Sequence, residues 1–378
     1  MLEVILYIID FILAAIVILM AVQLSRAFQR STPPKYSSKL ATDTDLPSVT
    51  VCIPARNEAH ALIDCLQKVI NSDYEKLEII VLDDISGDDT SALIKSFASE
   101  GVRFVKGDAL PKGWLGKNHA LQGLLEEASG SYILFMDVDT HLSPKAVEHM
   151  VRYTLSKRAL MLSVLPRRED GWRASVIASP LRYFWELIFN RRLWPATASS
   201  AWLIRREVLL KRFDGFKAFK NAVQPEAKIA AELAGTNEYR FLIGTEAFGV
   251  GYEKKWRSQL LTSVRLLYPL LGNQVSLAFI AALDLLLLLS PFIILAVLTP
   301  LGLVAPVIVG LTAIIAAVFC ILYGVYAQKV WKRGFIIGAL CWPLLLIQEL
   351  ILVIASTIQY KRSTVSWKGR LIRPEAQN

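Results

Sequence analysis

The fold of this chain is decided by residues 132–139, which read Tyr-Ile-Leu-Phe-Met-Asp-Val-Asp. Five apolar residues in succession, without the spacing of a helix, are typical of a strand that is buried on both faces. The carboxylates of Asp137 and Asp139 follow at the point where the strand ends. In open parallel sheets, ligands bind at the carboxyl ends of the strands. This stretch therefore predicts a buried strand that leads directly to a ligand-binding edge.

Three similar runs precede this strand, and helical patterns lie between them. Since strands that alternate with helices form right-handed βαβ units, the sequence predicts an α/β fold with a mainly parallel sheet. The runs are Val49-Thr-Val-Cys-Ile-Pro54, Glu78-Ile-Ile-Val-Leu82 and Val102-Arg-Phe-Val105, and the helical patterns cover about 58–72, 88–99 and 117–128.

Polar and acidic residues recur after the predicted strands. Ala55-Arg-Asn-Glu58 follows the first strand, and Asp83-Asp84 follows the second. The Asp137 and Asp139 pair offers hard oxygen ligands, which suit Mg²⁺ or Mn²⁺ bridging a diphosphate. A metal would have to neutralise the phosphates, because the Gly-rich loops of the P-loop and dinucleotide-binding proteins are absent from the sequence.

Acidic residues also have a purely structural use, because they cap helices and occupy turns. Asp88 or Ser86 can serve as the N-cap of the helix that follows the second strand. That interpretation leaves Asp83 and Asp84 as the carboxylates of this loop that still need an explanation.

The composition indicates a membrane protein. The chain has 378 residues, is 54% hydrophobic and has a mean hydropathy of +0.41. Its 42 Lys and Arg against 33 Asp and Glu give a net charge of +9, with the excess beside the apolar segments. This placement favours anionic lipid headgroups and cytoplasmic loops over nucleic acid. The four dispersed cysteines indicate neither a disulfide framework nor a zinc site, so we expect the polar domain to face a reducing cytosol.

Four apolar runs are long enough to cross a bilayer. We expect the first to be an uncleaved anchor with its N-terminus outside, because positive charges follow it directly. The last has basic residues at both ends, so it either spans once or enters and returns as a re-entrant helix pair. Two further stretches, Ile177 to Trp194 and Trp256 to Leu271, are basic and apolar and favour the membrane interface over an ordinary core helix. The four runs cover 4–24, 275–299, 301–327 and 334–360.

These observations predict six segments. They are an N-terminal anchor at 1–25, a linker at 26–47, an α/β domain at 48–252, an interfacial amphipathic helix at 253–272, a C-terminal membrane region at 273–360 and a basic cytoplasmic tail at 361–378.

Four motifs in order resemble the family 2 glycosyltransferases of the GT-A fold. They are Pro54-Ala-Arg-Asn-Glu58, Leu82-Asp-Asp-Ile-Ser-Gly-Asp-Asp-Thr90, Gly116-Lys-Asn-His-Ala120 and Met136-Asp-Val-Asp139. The segments Leu110 to Ala120 and Val365-Ser-Trp-Lys-Gly-Arg370 are similar to those of membrane-bound members of the 4,4'-diaponeurosporenoate and hopene-associated types. The resemblance covers about 48–250.

The resemblance implies an inverting transfer of a sugar from a nucleoside diphosphate sugar, with UDP expected, to a membrane lipid acceptor such as a carotenoid acid. It assigns Mg²⁺ or Mn²⁺ as the cofactor and Asp139 as its ligand. By motif position it places the nucleoside on Pro54, Arg56, Glu58 and Asp84, the diphosphate side on Lys117 and the ribose or sugar on Asp137.

The sequence departs from the family at the general base. Many members carry Glu-Asp before a Leu-Ala-rich helix, whereas this chain reads Val223-Gln-Pro-Glu-Ala-Lys-Ile-Ala230. We therefore expect Glu226 to be the catalytic base, with Asp214 next in order; the alternative is that Glu226 only favours the helix dipole. Two other functions stay open, namely a polyprenyl-phosphate sugar transferase and a degenerate membrane scaffold.

Overall fold

A computed structural model of the chain describes residues 1–33, 45–169 and 180–372. The chain divides into two compact units. The sheet unit comprises Arg30–Glu169, Asn190–Glu253 and Ser366–Asn378, and the helical unit comprises Met1–Gln29, Asp170–Phe189 and Lys254–Val365. Half of the predicted linker, the start of the first interfacial stretch and the end of the tail lie outside the described residues.

The sheet unit is built on a seven-stranded sheet with the order β3-β2-β1-β4-β8-β6-β9. β1 to β4 are parallel neighbours, β8 is antiparallel to β4 and β6, and β9 is parallel to β6. The prediction of a mainly parallel α/β fold is therefore confirmed. The strands of this sheet are β1 Val49–Ala55, β2 Leu77–Asp83, β3 Val102–Lys106, β4 Tyr132–Met136, β6 Met161–Leu165, β8 Ala201–Arg205 and β9 Tyr239–Ile243.

The described residues also form two smaller sheets. One has the order β5-β10-β7, and the other is a two-stranded antiparallel hairpin close to the C-terminus. Their strands are β5 Thr140–Leu142, β7 Arg167–Arg168 and β10 Val250–Tyr252, and β11 Ser366–Trp367 and β12 Arg370–Leu371 for the C-terminal hairpin.

Helices cover the main sheet because each presents apolar residues at helical spacing. α2, for example, buries Leu62, Cys65, Leu66 and Val69, which lie three or four positions apart. The described helices of this unit are α2 Ala59–Ile70, α3 Thr90–Ser96, α4 Gly116–Glu127, α5 Ala146–Ser156, α7 Arg206–Phe213 and α8 Pro225–Gly235.

The core of the sheet unit joins the parallel half of the sheet to the antiparallel strand β8. Phe135 on β4 lies opposite Trp202 on β8, and their rings stack with centroids 4.5 Å apart. Both side chains are 1% exposed. A cross-strand aromatic pair of this kind contributes about 0.5–1.5 kcal/mol beyond the burial of its area. β4 is thereby fixed in register, together with the two carboxylates that follow it.

Among its described residues, the helical unit contains four helices that are long and apolar enough to cross a membrane. They are α1 Leu2–Ser31, α10 Val275–Ile293 with the π-helical turn Ile294–Leu298, α11 Pro306–Val330 and α12 Gly334–Lys361; the shorter α6 Arg182–Ile188 and α9 Trp256–Leu270 accompany them. α12 is one continuous helix over its whole length, and not a pair of helices with a loop between them.

α1 packs against the N-terminal half of α11. The hydroxyl of Thr312 donates to the carboxyl oxygens of Asp10 at 2.9 and 3.1 Å, and Leu6 packs against Ile308. At the other end, the ammonium group of Lys329 lies 5.7 Å from the ring centre of Phe28. α1 and α11 therefore run in the same direction.

α12 packs against the C-terminal half of α11 and then against the shorter helices. The ring of Phe184 on α6 lies 5.3 Å from those of Tyr323 and Trp342, and the hydroxyl of Tyr360 donates to the carbonyl of Arg265 at 2.6 Å. Glu349 is 2% exposed and accepts a hydrogen bond from the N–H of Leu181 at 3.2 Å. The opposite face exposes apolar residues along the entire helix: Ile336, Leu340, Leu344, Ile347, Ile351, Ile354 and Ile358.

Candidate functional site

The loops that follow β1 and β2 are fastened to each other at the carboxyl edge of the sheet. The N–H of Asn57 donates to the hydroxyl of Ser86 at 2.9 Å, and the side chain of Asn57 accepts from the N–H of Gly87 at 2.8 Å. The N–H of Glu58 donates to the hydroxyl of Thr90 at 2.9 Å. These bonds fix the directions in which the side chains of both loops point.

Two of the four aspartates in the second loop are used by the loop itself. Asp83 accepts from the N–H of Ser86 at 3.2 Å, and Asp88 accepts from the N–H groups of Thr90 and Ala59 at 3.1 and 3.3 Å. The N-cap residue of α3 is Asp89, so the prediction of Asp88 or Ser86 at that position is wrong, although Asp88 accepts from the first amide of the helix. The carboxylate of Asp84, by contrast, accepts its hydrogen bond from outside this loop.

Asp84 is paired instead with a cation from the far end of the sequence. Its side chain is buried, and its Oδ2 accepts from Arg370 Nη1 on β12 at 2.6 Å. Burial raises the pKa of Asp84 above its ordinary value, and the charges of Arg370, Arg56 and His119 act against that rise. Asp84 is therefore a carboxylate whose ionisation depends on nearby positive charge.

A second cation of the same hairpin, Lys368, pairs with Glu58. Glu58 Oε1 lies 2.5 Å from Lys368 Nζ, which also donates to the carbonyl of Asn57 at 3.2 Å. Burial raises the pKa of Glu58, Lys368 opposes the rise, and the negative charge of Asp139 adds to it. Glu58 and Asp139 are thus close enough to interact electrostatically.

Arg56 and Pro54 connect these pairs to the sheet. The guanidinium group of Arg56 donates to the carbonyls of Asp84 and Ile85 and, through Nε, to the carbonyl of Lys368 at 3.2 Å. Pro54 is a residue of β1 and lies opposite Leu82 in the parallel register. Arg56 therefore holds the second loop and the C-terminal hairpin together.

Asp137 and Asp139 project from the turn after β4. Both are partly exposed, while Val138 between them is 2% exposed and packs in the core. Lys117, in the first turn of α4, places its ammonium group 2.6 Å from Asp137 Oδ1. The N–H of Asp137 donates to the carbonyl of Ser200 at 3.1 Å, which ties the turn to the antiparallel half of the sheet.

The carboxylates of the site suit a divalent ion whose other ligands are mainly phosphate oxygens of a bound substrate and water molecules. Among the described residues, no group of three or more His, Cys, Asp or Glu side chains is arranged to enclose a metal ion. Asp137 pairs with Lys117 at 2.6 Å, and Asp139 is the residue that the sequence predicts as the metal ligand. Mg²⁺ is commonly bound through one or two carboxylates, with substrate phosphates and water completing the octahedron.

The two candidate bases lie in different surroundings. Glu226 is in the first turn of α8 after Pro225 and is 2% exposed. Asp214 ends α7 in a left-handed conformation with φ of 49°, and its exposed carboxylate pairs with Lys217 at 3.1 Å. Glu226 is therefore enclosed by the protein, whereas the carboxylate of Asp214 is exposed and ion-paired.

Asn118 fixes the segment that leads to Glu226. Its side-chain amide is buried and donates to the carbonyls of Phe219, Lys220 and Ala222 at 2.7, 3.2 and 2.8 Å. Asn118 directly follows Lys117, so α4 anchors the approach to α8 beside the lysine of the site. Asn118, Lys368 and Arg370 were not predicted to contribute to the site. The signal in the sequence was their place in motifs that resemble those of the related proteins.

Comparison with known proteins finds similarity in the region that carries this site. Residues 50–213 match the family described as glycosyl transferase family 2. A mannosyltransferase from Pyrobaculum calidifontis, solved with GDP-Man and Mn²⁺, superposes with a TM-score of 0.55 at 20% identity, covering 94% of this chain and 98% of the other. The fold is GT-A, as predicted.

Two curated relatives each match about a third of this chain. The probable glycosyltransferase YdaM of Bacillus subtilis is 34% identical over 33% of this chain and 29% of its own length. The GalNAc(5)-diNAcBac-PP-undecaprenol beta-1,3-glucosyltransferase of Campylobacter jejuni is 29% identical over 28% of this chain and 34% of its own length. The chain thus spans about a third of the length of these two relatives.

Replacing Asn118 by alanine is expected to loosen the approach to Glu226. The change leaves buried carbonyl groups without their donor, which costs about 1–3 kcal/mol. Amide hydrogen exchange across 219–226 should therefore accelerate about tenfold, since 1.4 kcal/mol is a factor of ten, while β4 stays protected. Asn71→Ala, which makes the same chemical change at an exposed helix end, is the control. Unchanged exchange across 219–226 would contradict the anchoring role.

Proposed function

We propose that this chain is a membrane-bound glycosyltransferase that moves a sugar from a nucleoside diphosphate sugar, with UDP as the nucleotide, to a lipid acceptor. The observation that carries the proposal is the set of acidic residues at the carboxyl edge of a GT-A sheet, three of which, Glu58, Asp84 and Asp137, pair with a cation. Arg56, Glu58 and Asp84 form one end of this set, and Lys117, Asp137 and Asp139 form the other. The first end suits a nucleoside, and the second suits the diphosphate and the sugar.

The chemistry assigned to these residues is an inverting displacement. The bond between the anomeric carbon and the diphosphate oxygen breaks, a bond to the acceptor oxygen forms on the opposite face, and Glu226 takes the acceptor proton. Lys117 stabilises negative charge on the departing diphosphate, since a preformed cation needs no rearrangement as that charge develops. A divalent ion held by Asp139 would supply further stabilisation of the same charge when it is bound.

A lipid acceptor is favoured by the apolar helical unit that the chain carries. The Campylobacter relative bears the name of an enzyme that acts on an undecaprenol-linked saccharide, so one related domain works on a lipid-linked acceptor. The motif resemblance favours a carotenoid acid or another isoprenoid. A polyprenyl phosphate is the second candidate, and acceptor assays with both classes of lipid separate the two.

The C-terminal hairpin favours a cytoplasmic tail. Residues up to 253 and residues 366–371 belong to the same folded unit, so the segment between them must cross the membrane an even number of times. Three helices of that segment qualify as spans by length and composition. We propose that α10 and α11 cross and that α12 lies along the cytoplasmic interface. This assignment agrees with the basic residues at both ends of α12 and with its single exposed apolar stripe.

Replacing Asp139 by asparagine tests the metal assignment. The variant should lose the metal-dependent release of UDP from a UDP-sugar by about a hundredfold or more, because a Lewis acid contributes several kcal/mol to such a step. EDTA should have the same effect on the unmodified enzyme. Asp108→Asn, at an exposed aspartate, is the control. Full turnover in excess EDTA would refute metal dependence.

The assignment of the base is tested by Glu226→Gln. Turnover with a hydroxyl acceptor should fall by about two orders of magnitude or more, in line with contributions of general bases, while the KM for the donor stays the same. A carboxylic acid acceptor is already ionised near neutral pH and should be affected far less. Glu232→Gln removes an exposed carboxylate of the same helix and serves as the control. Equal turnover of both variants would assign the base elsewhere.

Membrane orientation can be tested with a cysteine at Ser366, in a background without Cys52, Cys65, Cys320 and Cys341. The new thiol should resist impermeant reagents in intact cells and react once the membrane is opened. Labelling from outside the intact cell would place the tail, and the domain that it contacts, on the other side.

A further inference from the structure

We propose that the C-terminal hairpin, residues 366–371, is a permanent wall of the donor site, where Arg370 and Lys368 neutralise Asp84 and Glu58 so that an anionic nucleotide sugar can bind. The inference rests on the proposed function and assigns two further residues to the same site. Arg370 and Lys368 are positioning residues in this scheme, because they act through the carboxylates that face the nucleoside.

The hairpin fits its place closely. Arg370 Nη1 lies so near α4 that a Cβ added to Gly116 would come within 2.6 Å of it, and within 3.2 Å of Asp84 Oδ2. A glycine at this position leaves room for the guanidinium group between the helix and the aspartate. The contact is thus built into the backbone of α4 as well as into the charged side chains.

The hairpin is also held by main-chain atoms. Arg56 donates to the carbonyl of Lys368, and Lys368 donates to the carbonyl of Asn57. Lys368 has a φ of 48° and is followed by Gly369 at 80°, so the tight turn is shaped to present this carbonyl and this ammonium group together. Such bonds do not depend on the ionisation of Asp84 or Glu58, which favours a fixed wall over a plug that the donor displaces.

Charge balance explains why the site needs the hairpin. Without it, four carboxylates, Glu58, Asp84, Asp137 and Asp139, outnumber the cations Arg56 and Lys117. A diphosphate carries further negative charge and would be repelled by this excess. With Arg370 and Lys368 in place, the cations equal these carboxylates in number, and a divalent ion can then balance the diphosphate.

The same argument predicts a change in pH dependence when Arg370 is removed. Asp84 would lose the nearest of the cations that face it, leaving Arg56 and His119. Its pKa, already raised by burial, would rise further, so the ionised form would be lost at a higher pH as the pH falls. Protonated Asp84 carries no charge and does not repel the diphosphate, so the loss of donor binding in an Arg370→Ala variant should be greatest at high pH and should diminish as the pH falls.

The decisive experiment measures binding of UDP with Mn²⁺ to the full chain in detergent, by calorimetry, across a range of pH. Arg370→Ala should bind UDP about tenfold or more weakly, in line with the loss of a charge-assisted hydrogen bond. Arg370→Lys should recover part of the loss, and Lys368→Ala should show a smaller weakening. Arg362→Ala removes the same charge from an exposed residue outside the hairpin and should bind as the unmodified chain does.

The outcomes separate the inference from the function on which it rests. If the unmodified chain binds neither UDP nor GDP in the presence of Mn²⁺, the proposed function fails. If it binds UDP and the Arg370 and Lys368 variants bind equally well, the hairpin is not part of the donor site. Tighter binding by these variants would show that the hairpin is a plug, and it would overturn the proposal in the same way. An unshifted pH profile of weakened binding would reduce Arg370 to a structural support.

Discussion

Electrostatic repulsion at the carboxyl edge of the sheet is the constraint on which the rest of the structure depends. Parallel strands end at the same edge, so the residues that follow β1, β2 and β4 bring their carboxylates together. In a partly buried position, such a group needs a neighbouring cation to remain ionised. The chain meets this need with Lys117 from α4, the helix before β4, and with Lys368 and Arg370 from its far end.

The two halves of the site differ in how they are stabilised. The end that contains Glu58 and Asp84 has hydrogen bonds from main-chain N–H groups to side chains between its loops, and it adds cations from a distant hairpin. The end that contains Asp137 and Asp139 is held by the turn after β4 and by Lys117, and Asn118 of the same helix then fixes the segment that leads to Glu226. α4 therefore serves both ends, because its first turn contains Gly116 against Arg370 as well as Lys117 and Asn118.

Local patterns predicted the first half of the fold well. The run at 132–136 is a strand with those bounds, and the run at 78–82 lies within β2. Buried parallel strands are continuous apolar segments, so composition alone reveals them. β6, β8 and β9 were not predicted, because no motif marks them and their order depends on which strand pairs with β4. The pairing of Asp84 with Arg370 joins residues 286 positions apart, and local sequence patterns carry no information on such a contact.

The position of the hairpin also constrains the order in which the protein can be made. Asp84 is synthesised early, but its partner follows the last helix of the helical unit, so the ion pair cannot form until nearly the whole chain has left the ribosome. The sheet unit can begin to fold before that time, while its acidic edge lacks two of its cations. A chain that stops short of residue 368 would therefore lack both Lys368 and Arg370, so Glu58 and Asp84 would remain without the cations that pair with them in the complete fold.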